Sequence, residues 1–321
     1  MNNTGFIRKC VRLPVQTLNV SARLRVHASL ASTVQKELRL LKITPKRSLG
    51  QNFVTSEEVL HQIIASANIQ KGDRILEIGP GLGSLTEAVL QCGATVLAIE
   101  KDDVLHGHLK QKFSQEPAVS LIHSDVLLLR NIRDILDDFG GGEEGPSIKV
   151  VANIPYNITS DVLKMMLPLK DQLNAVHLLL EDGAARRLTE ARPGDKDYRA
   201  ISVLINFYSN PRYSFKVNRG AFFPEPNIDS AFTEFALCPK SDQLRGMGEQ
   251  DFLKFVSSAF LSKRKTLVNN LKLRYPAALV EEGLCKLGMA STARAETLSV
   301  QDLIQLFVYL TSDAGGTSAA L

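Results

Sequence analysis

From Ile75 onward, short apolar runs alternate with stretches of helical spacing. Residues 75–78 read as a buried strand, followed by a glycine-rich turn and a helix to about Cys92. Residues 95–99 form a second strand, and the polar helix after it sets Leu105 and Leu109 four positions apart. Residues 119–122, 149–152 and 175–180 continue the series, with helices between them. This βαβ rhythm predicts an α/β fold, a Rossmann-like doubly wound parallel sheet. The runs 201–208 and 230–237 predict an antiparallel pair that closes it. Between the third and fourth strands, 140–146 (GGGEEGP) predicts a mobile surface loop.

After a polar, turn-rich stretch at 239–248 the pattern is only helical. Phe252, Phe255, Val256, Ala259 and Phe260 make one amphipathic face, and 279–289 and 300–309 make two more. The expected organisation is a leader over 1–36, a Rossmann-like domain over 37–240, a small helical domain over 249–311 and a flexible tail over 312–321. No run approaches the roughly 18 apolar residues of a membrane-spanning helix, and no internal repeat is present.

Charge adds one feature that the pattern does not show. The net charge is +4, yet residues 1–36 hold six basic side chains and no acid before Glu37, so the remainder is slightly acidic. An arginine-bearing, acid-free leader with scattered Ser and Thr reads as an organelle transit peptide, ahead of the plainer reading as a disordered basic arm. The body is not a globally basic nucleic-acid binder; any RNA contact must come from local patches. Cys10, Cys92, Cys238 and Cys285 lie far apart with no C-x-x-C pair, which suggests neither a zinc site nor a disulfide framework. The histidines, His106 and His108 included, show no metal-ligand pattern. No metal and no membrane is expected.

The chemistry begins after the first strand, in LEIGPGLGS (76–84). Gly79, Gly81 and Gly83 let the backbone turn sharply and approach a ligand. The spacing is G-x-G-x-G rather than the G-x-G-x-x-G of dinucleotide sites, and Glu77 precedes it by two residues. An acid there does not suit a pyrophosphate but suits a zwitterionic amino-acid moiety, which points to S-adenosyl-L-methionine. Glu100, ending the second strand, is placed to accept the ribose hydroxyls. Asp125, past the third strand, is placed to accept from the adenine amino group; taken alone it reads better as a helix N-cap.

After the fourth strand comes NIPYN (153–157), which fits the N/D-P-P-Y/F pattern of methyltransferases acting on exocyclic amines of nucleobases. The N6 lone pair of adenine is delocalised into the ring and is a poor nucleophile. Two acceptors, the Asn153 side-chain oxygen and the Ile154 carbonyl, can hold both N6 hydrogens and favour a localised lone pair. Pro155 fixes the backbone, and Tyr156 offers a ring face for the unstacked base.

In order along the chain, KRSLGQNF (46–53), LEIGPGLGSLT (76–86), IEKD (99–102), SDV (124–126), NIPYNITS (153–160) and FFPEPNIDSA (222–231) resemble the successive motifs of the ribosomal RNA adenine N6,N6-dimethyltransferases. The resemblance covers about 45–310. It implies an S-adenosyl-L-methionine-dependent enzyme of ribosome biogenesis that dimethylates two adjacent adenosines in the 3′-terminal hairpin loop of small-subunit ribosomal RNA. Its implied partner is that RNA or the pre-ribosomal small subunit, engaged as a monomer. The implied cofactor contacts are Asn52, Val54, Gly79, Glu100, Lys101, Asp125, Val126 and Asn153; the Val54 position is usually Leu in the family. Phe222 could stack on the target base or serve as a core aromatic. Lys263, Arg264, Lys265 and Lys272, with Asn269 and Asn270, resemble the family's helical-domain segment and are expected to follow an RNA backbone; Arg186 and Arg187 are even candidates. GATVLAIEKD (93–102) and ISVLINFYSNPRYSFKV (201–217) resemble the plant plastid members, so chloroplast is expected over mitochondrion. Rival readings are the large-subunit antibiotic-resistance adenine methylases and a non-enzymatic transcription or assembly factor on the same fold. The intact Asn153, Pro155 and Tyr156 favour catalysis.

Overall fold

A computed structural model describes residues 29–45, 50–140 and 147–314, with side chains to 312. Within it, α1 (Leu30–Leu40) is followed by a two-residue strand β1 (Phe53–Val54) and α2 (Glu57–Ser66). Then β2 (Arg74–Ile78), α3 (Ser84–Gln91), β3 (Thr95–Glu100), α4 (Asp103–Lys112) and β4 (Val119–His123) alternate. The rhythm continues through α5 (Ile132–Gly140), β5 (Ile148–Asn153), α6 (Thr159–Met166), β6 (Leu173–Glu181) and α7 (Asp182–Thr189). Next come α8 (Ala200–Tyr208), β7 (Ser209–Val217), β8 (Phe222–Phe223) and β9 (Ser230–Leu237), and the helices α9 (Glu249–Ala259), α10 (Leu267–Leu271), α11 (Ala277–Lys286) and α12 (Val300–Ala314).

Seven strands form one sheet in the order β4-β3-β2-β5-β6-β9-β7. The first five are parallel, and β9 and β7 are antiparallel. Strands β2 and β3 are buried almost end to end because helices cover both faces. At the edges, β4 is half exposed, and β7 carries Pro211, which an edge strand tolerates. The chain reverses its winding between β2, which pairs with both β3 and β5, and its neighbours. A crevice at the carboxyl ends of the strands is the expected ligand site there. The Rossmann-like expectation holds.

The structure departs from the sequence reading at several places. Residues 200–208 are a helix, and the partner of β9 is the following segment, β7. A short, continuously apolar run cannot be told from a buried helix by periodicity; α8 buries Val203, Leu204, Ile205, Phe207 and Tyr208 between the sheet and the C-terminal helices. Next, the 36/37 boundary falls inside α1, whose Ser29 side chain accepts from Ser32 N at its start. Residues 30–36 therefore belong to the folded body, while 1–28 lie outside the described residues. Finally, the C-terminal helices share one core with the sheet: Phe252 packs on Phe207 with ring centroids 4.8 Å apart. Tyr208 donates to Glu249 across the same junction at 2.9 Å, and Lys170 pairs with that carboxylate. The expected tail begins inside α12, which continues to Ala314; 315–321 and the loop 141–146 lie outside the described residues. Among the described residues no helix is long and apolar enough to cross a membrane.

Candidate active site

The loops after β2, β3, β4 and β5 converge on a cavity of about 240 Å³. Of the expected residues, Asn52, Val54, Glu77, Gly79, Gly81 and Glu100 line it. So do Lys101, Asp125, Val126, Asn153, Ile154 and Pro155. Gly83, Tyr156 and Phe222 do not. Because Ile78 pairs with Ala152, the residues that follow, Gly79 and Asn153, emerge side by side. A Cβ on Gly79 would stand 3.8 Å from the Asn153 carbonyl oxygen.

The glycine loop runs through left-handed conformations, with φ of +70°, +62° and +83° at Gly79, Gly81 and Gly83. Gly83 caps α3 away from the cavity, and a Cβ there would stand 2.9 Å from the Phe113 ring. Its role is close packing of the loop on α4 rather than ligand contact.

Three acids stand at three strand ends. Glu100, 6% exposed, accepts backbone N–H groups from Gly81 (3.1 Å), Lys101 (2.8 Å) and Asp102 (2.8 Å). Burial pushes its carboxyl above the usual range, and those three donors act against the rise. Glu77, 2% exposed, accepts from the Thr86 hydroxyl at 2.6 Å, and burial pushes it up to about 7. Asp125 takes the capping reading, and it also lines the cavity. One oxygen accepts from Leu127 N at 3.0 Å and caps the 3₁₀ turn Val126–Leu128; the other pairs with Lys101 at 2.7 Å on the cavity wall. Burial opposes its ionisation, but Lys101 and the Leu127 N–H hold it below the usual carboxylate range.

The Asn153 side chain is oriented by a distant residue. Its Nδ2 donates to the Asn52 carbonyl at 2.8 Å. Since that partner can only accept, the amide is fixed with Oδ1 on the other side, where no described residue donates to it. The Ile154 carbonyl likewise accepts from no described residue. Gly50, φ +57°, packs on this loop so closely that a Cβ would stand 2.8 Å from Pro155 Cβ. Lys46 to Leu49 lie outside the described residues.

Tyr156 is half-buried beside the cavity, its hydroxyl 2.8 Å from Ser230 Oγ, and burial pushes its phenol up. Phe222 takes the core reading and not the stacking one. Its strand pairs with β1, so alternate side chains point to opposite faces. Phe222 is 4% exposed, in a cluster with Val54 and Phe232, while Phe223 packs toward Phe53 and Leu82. Sequence reasoning missed Phe53, Ser84, Asn157 and Phe232 as cavity walls and Ser230 as the partner of Tyr156. The quoted motifs contain Phe53, Ser84, Asn157 and Ser230, but nothing in spacing alone signals their roles.

The basic residues lie on the helical lobe, away from the cavity. Lys263, Arg264 and Lys265 are exposed in the turn between α9 and α10, and Lys272 is exposed at the end of α10. Lys263 donates to the Lys196 carbonyl at 3.1 Å and stands 3.8 Å from Glu296. Asn270 is a structural pin, donating to the carbonyls of Ala259 (2.7 Å) and Ser262 (3.0 Å) beneath the turn. Arg186 is engaged by Asp182 and Glu190 and lies over the Tyr213 ring, so its charge is locally balanced. Among the described residues no cluster of three or more His, Cys, Asp or Glu is arranged for a metal ion.

A family model described as ribosomal RNA adenine dimethylase matches residues 43–312. The chloroplastic ribosomal RNA small subunit methyltransferase of Arabidopsis thaliana is 37% identical over 266 residues, covering 82% of this chain and 78% of that protein. The ribosomal RNA small subunit methyltransferase A of Chlamydia caviae is 37% identical over 271 residues, covering 84% and 93%. Among solved structures, a dimethyladenosine transferase from Plasmodium falciparum superposes with a TM-score of 0.67 at 21% identity, covering 82% of this chain and 98% of that one. A 23S ribosomal RNA methyltransferase gives 0.58 at 23%, covering 81% and 99%. At these identities the two structures show a shared fold.

Proposed function

The chain belongs to the ribosomal RNA adenine dimethylase family, and from that premise we propose that it dimethylates N6 of two adjacent adenosines in the 3′-terminal hairpin loop of small-subunit ribosomal RNA, acting as a monomer inside the chloroplast. It is an S-adenosyl-L-methionine-dependent methyltransferase. The observation that carries the site reading is the shared cavity into which Gly79 and Asn153 open from adjacent strands. The small-subunit relatives and the acid-free leader support the substrate and the compartment.

The residues present fit the cofactor. It is a cation bearing a ribose, and three carboxyls at successive strand ends face the space it would fill. The glycine loop provides a cradle, since a Cβ on Gly81 would crowd the Phe53 ring at 3.0 Å. Glu77 would hold the amino-acid moiety, Glu100 the ribose hydroxyls, and Asp125 with Val126 the adenine. Asn52, Val54 and Lys101 complete the walls. When bound, the cofactor supplies an activated methyl group. Asn153 Oδ1 and the Ile154 carbonyl would hold the N6 hydrogens, so that the nitrogen lone pair is localised and aimed. Tyr156, tied to Ser230, would present its ring to the base. Positioning of this kind supplies most of the rate gain without a strong base.

Mapping modified adenosines at the 3′ end of chloroplast and mitochondrial small-subunit RNA, with and without this protein, tests the proposal. N6,N6-dimethyladenosine at two adjacent positions should disappear from the chloroplast RNA. Loss from mitochondrial RNA alone would refute the compartment, and loss from neither would refute the substrate.

Glu77 gives the cofactor site a pH dependence. With its folded value near 7 against an ordinary 4.5, it is protonated in the cofactor-free protein over that window. Its contribution to stability is therefore full below about 4.5 and is lost as pH rises through 7. A cationic ligand beside it favours the carboxylate, so binding releases a proton. Cofactor affinity should rise by up to about tenfold per pH unit between roughly pH 5 and 7 and level off above. Calorimetry in buffers of different ionisation enthalpy measures the released proton; a flat affinity with no proton released would remove Glu77 from this role.

A further inference from the structure

Helix α1 lies outside every motif and does not line the cavity. Its buried residues, Val34 and Leu38, are 1% and 3% exposed. They share one apolar cluster with Phe53, Leu82 and Leu105, and all three of those line the cavity. Phe53 comes from β1, Leu82 from between Gly81 and Gly83, and Leu105 from α4. The helix thus packs on the back of a wall assembled from three separate segments.

A polar contact reinforces the same spot. Glu37 of α1 stands 3.7 Å from Lys112 and 3.8 Å from His108, both on α4. Lys112 also pairs with Glu87 of α3 at 3.2 Å and donates to the Leu82 carbonyl at 2.9 Å. Side-chain packing therefore holds Leu82 from one side, and Lys112, steadied by Glu37, holds its backbone.

We propose that α1 is a positioning element of the cofactor site, keeping the wall of Phe53, Leu82 and Leu105 in its binding geometry. The proposal rests on reading the cavity as the S-adenosyl-L-methionine site. A loop with three left-handed glycines has many conformations to lose, and packing from behind removes part of that cost before the ligand arrives. A wall left without its support leaves a binding site present but loose. Cleavage at 36/37 would remove Val34 and so weaken the site, whereas a chain beginning at Ser29 keeps the whole helix.

The test uses the full chain with Val34→Ala, Leu38→Ala and, as a control, Leu40→Ala, whose side chain is 72% exposed. Calorimetry gives the Kd for S-adenosyl-L-methionine at a temperature where each variant is folded by circular dichroism, and kinetics give KM separately for cofactor and RNA. Leu38→Ala should raise the cofactor Kd and KM on the order of tenfold, with the RNA KM unchanged. Val34→Ala removes only two methyl groups and should stay folded with a smaller rise of about two- to threefold, so it carries the test if Leu38→Ala unfolds. Leu40→Ala should match the parent. A lower Tm with unchanged cofactor Kd would overturn the proposal and leave α1 a purely structural helix. Glu100→Ala separates the two layers. If it weakens binding while the α1 variants do not, the positioning role alone fails; if none of them does, the site reading fails with it.

Discussion

Asn153→Ala should reduce methyl transfer by about 10²-fold or more, the usual cost of one preorganised polar contact at a reacting centre. The substitution removes the oxygen that would hold one N6 hydrogen, and it also frees the Asn52 carbonyl that orients the amide. Asn153→Asp should fail too, because a carboxylate cannot donate to that carbonyl. RNA affinity should persist in both variants, since phosphate contacts from the exposed Lys263 to Lys265 turn would supply most of it. Neutralising that turn should give the opposite pattern: weaker RNA binding, a flatter salt dependence and unchanged cofactor binding. Tyr156→Ala should lose roughly 1–3 kcal/mol of base stacking. The measurement is methyl incorporation into a 3′-hairpin RNA, resolved by mass spectrometry into N6-methyl and N6,N6-dimethyladenosine. Dimethylation at the parent rate by Asn153→Ala would defeat the mechanism.

Glu100→Ala has the largest expected effect on cofactor affinity. The carboxylate would accept the ribose hydroxyls, and it already accepts three backbone N–H groups, from Gly81, Lys101 and Asp102. Truncation removes the ligand contact and strands three donors in the cavity wall, including the one that anchors the glycine loop to the end of β3. A hydrogen bond to a charged group contributes about 1.5–3 kcal/mol, so affinity should fall at least about tenfold. Glu100→Gln preserves shape but turns an NH₂ toward backbone donors, and it should recover only part of the loss. Calorimetry on the folded variants decides; an unchanged Kd for Glu100→Ala would remove this residue from the cofactor site.

The parallel sheet was legible because burial on both faces leaves continuous apolar strands at β2, β3, β5 and β6. The same rule misled at α8, whose apolar run is equally compatible with a helix buried on nearly every side. Phe222 was undecidable from sequence because its facing depends on the β1·β8 register, set by a strand some 170 residues earlier in the chain. Asp125 reads from sequence as a cap or a ligand contact; the structure shows the cap on Leu127 N, with the other oxygen paired to Lys101 of the preceding strand's loop.

By itself, the sequence determined the local chemistry: the G-x-G-x-G turn, the acids at three strand ends and the N-I-P-Y loop after the fourth. Each depends on backbone conformation and side-chain type within a few neighbouring residues. Only the tertiary structure decided how these pieces face one another. The pairing of β2 with β5 sets Gly79 beside Asn153, and the carbonyl of Asn52, 101 positions earlier, fixes which way the Asn153 amide points. It also decided that α1 is part of the body rather than the leader. Its short amphipathic stripe acquires meaning only against Phe53, Leu82 and Leu105, because burial belongs to pairs of surfaces and a single segment carries only one of them.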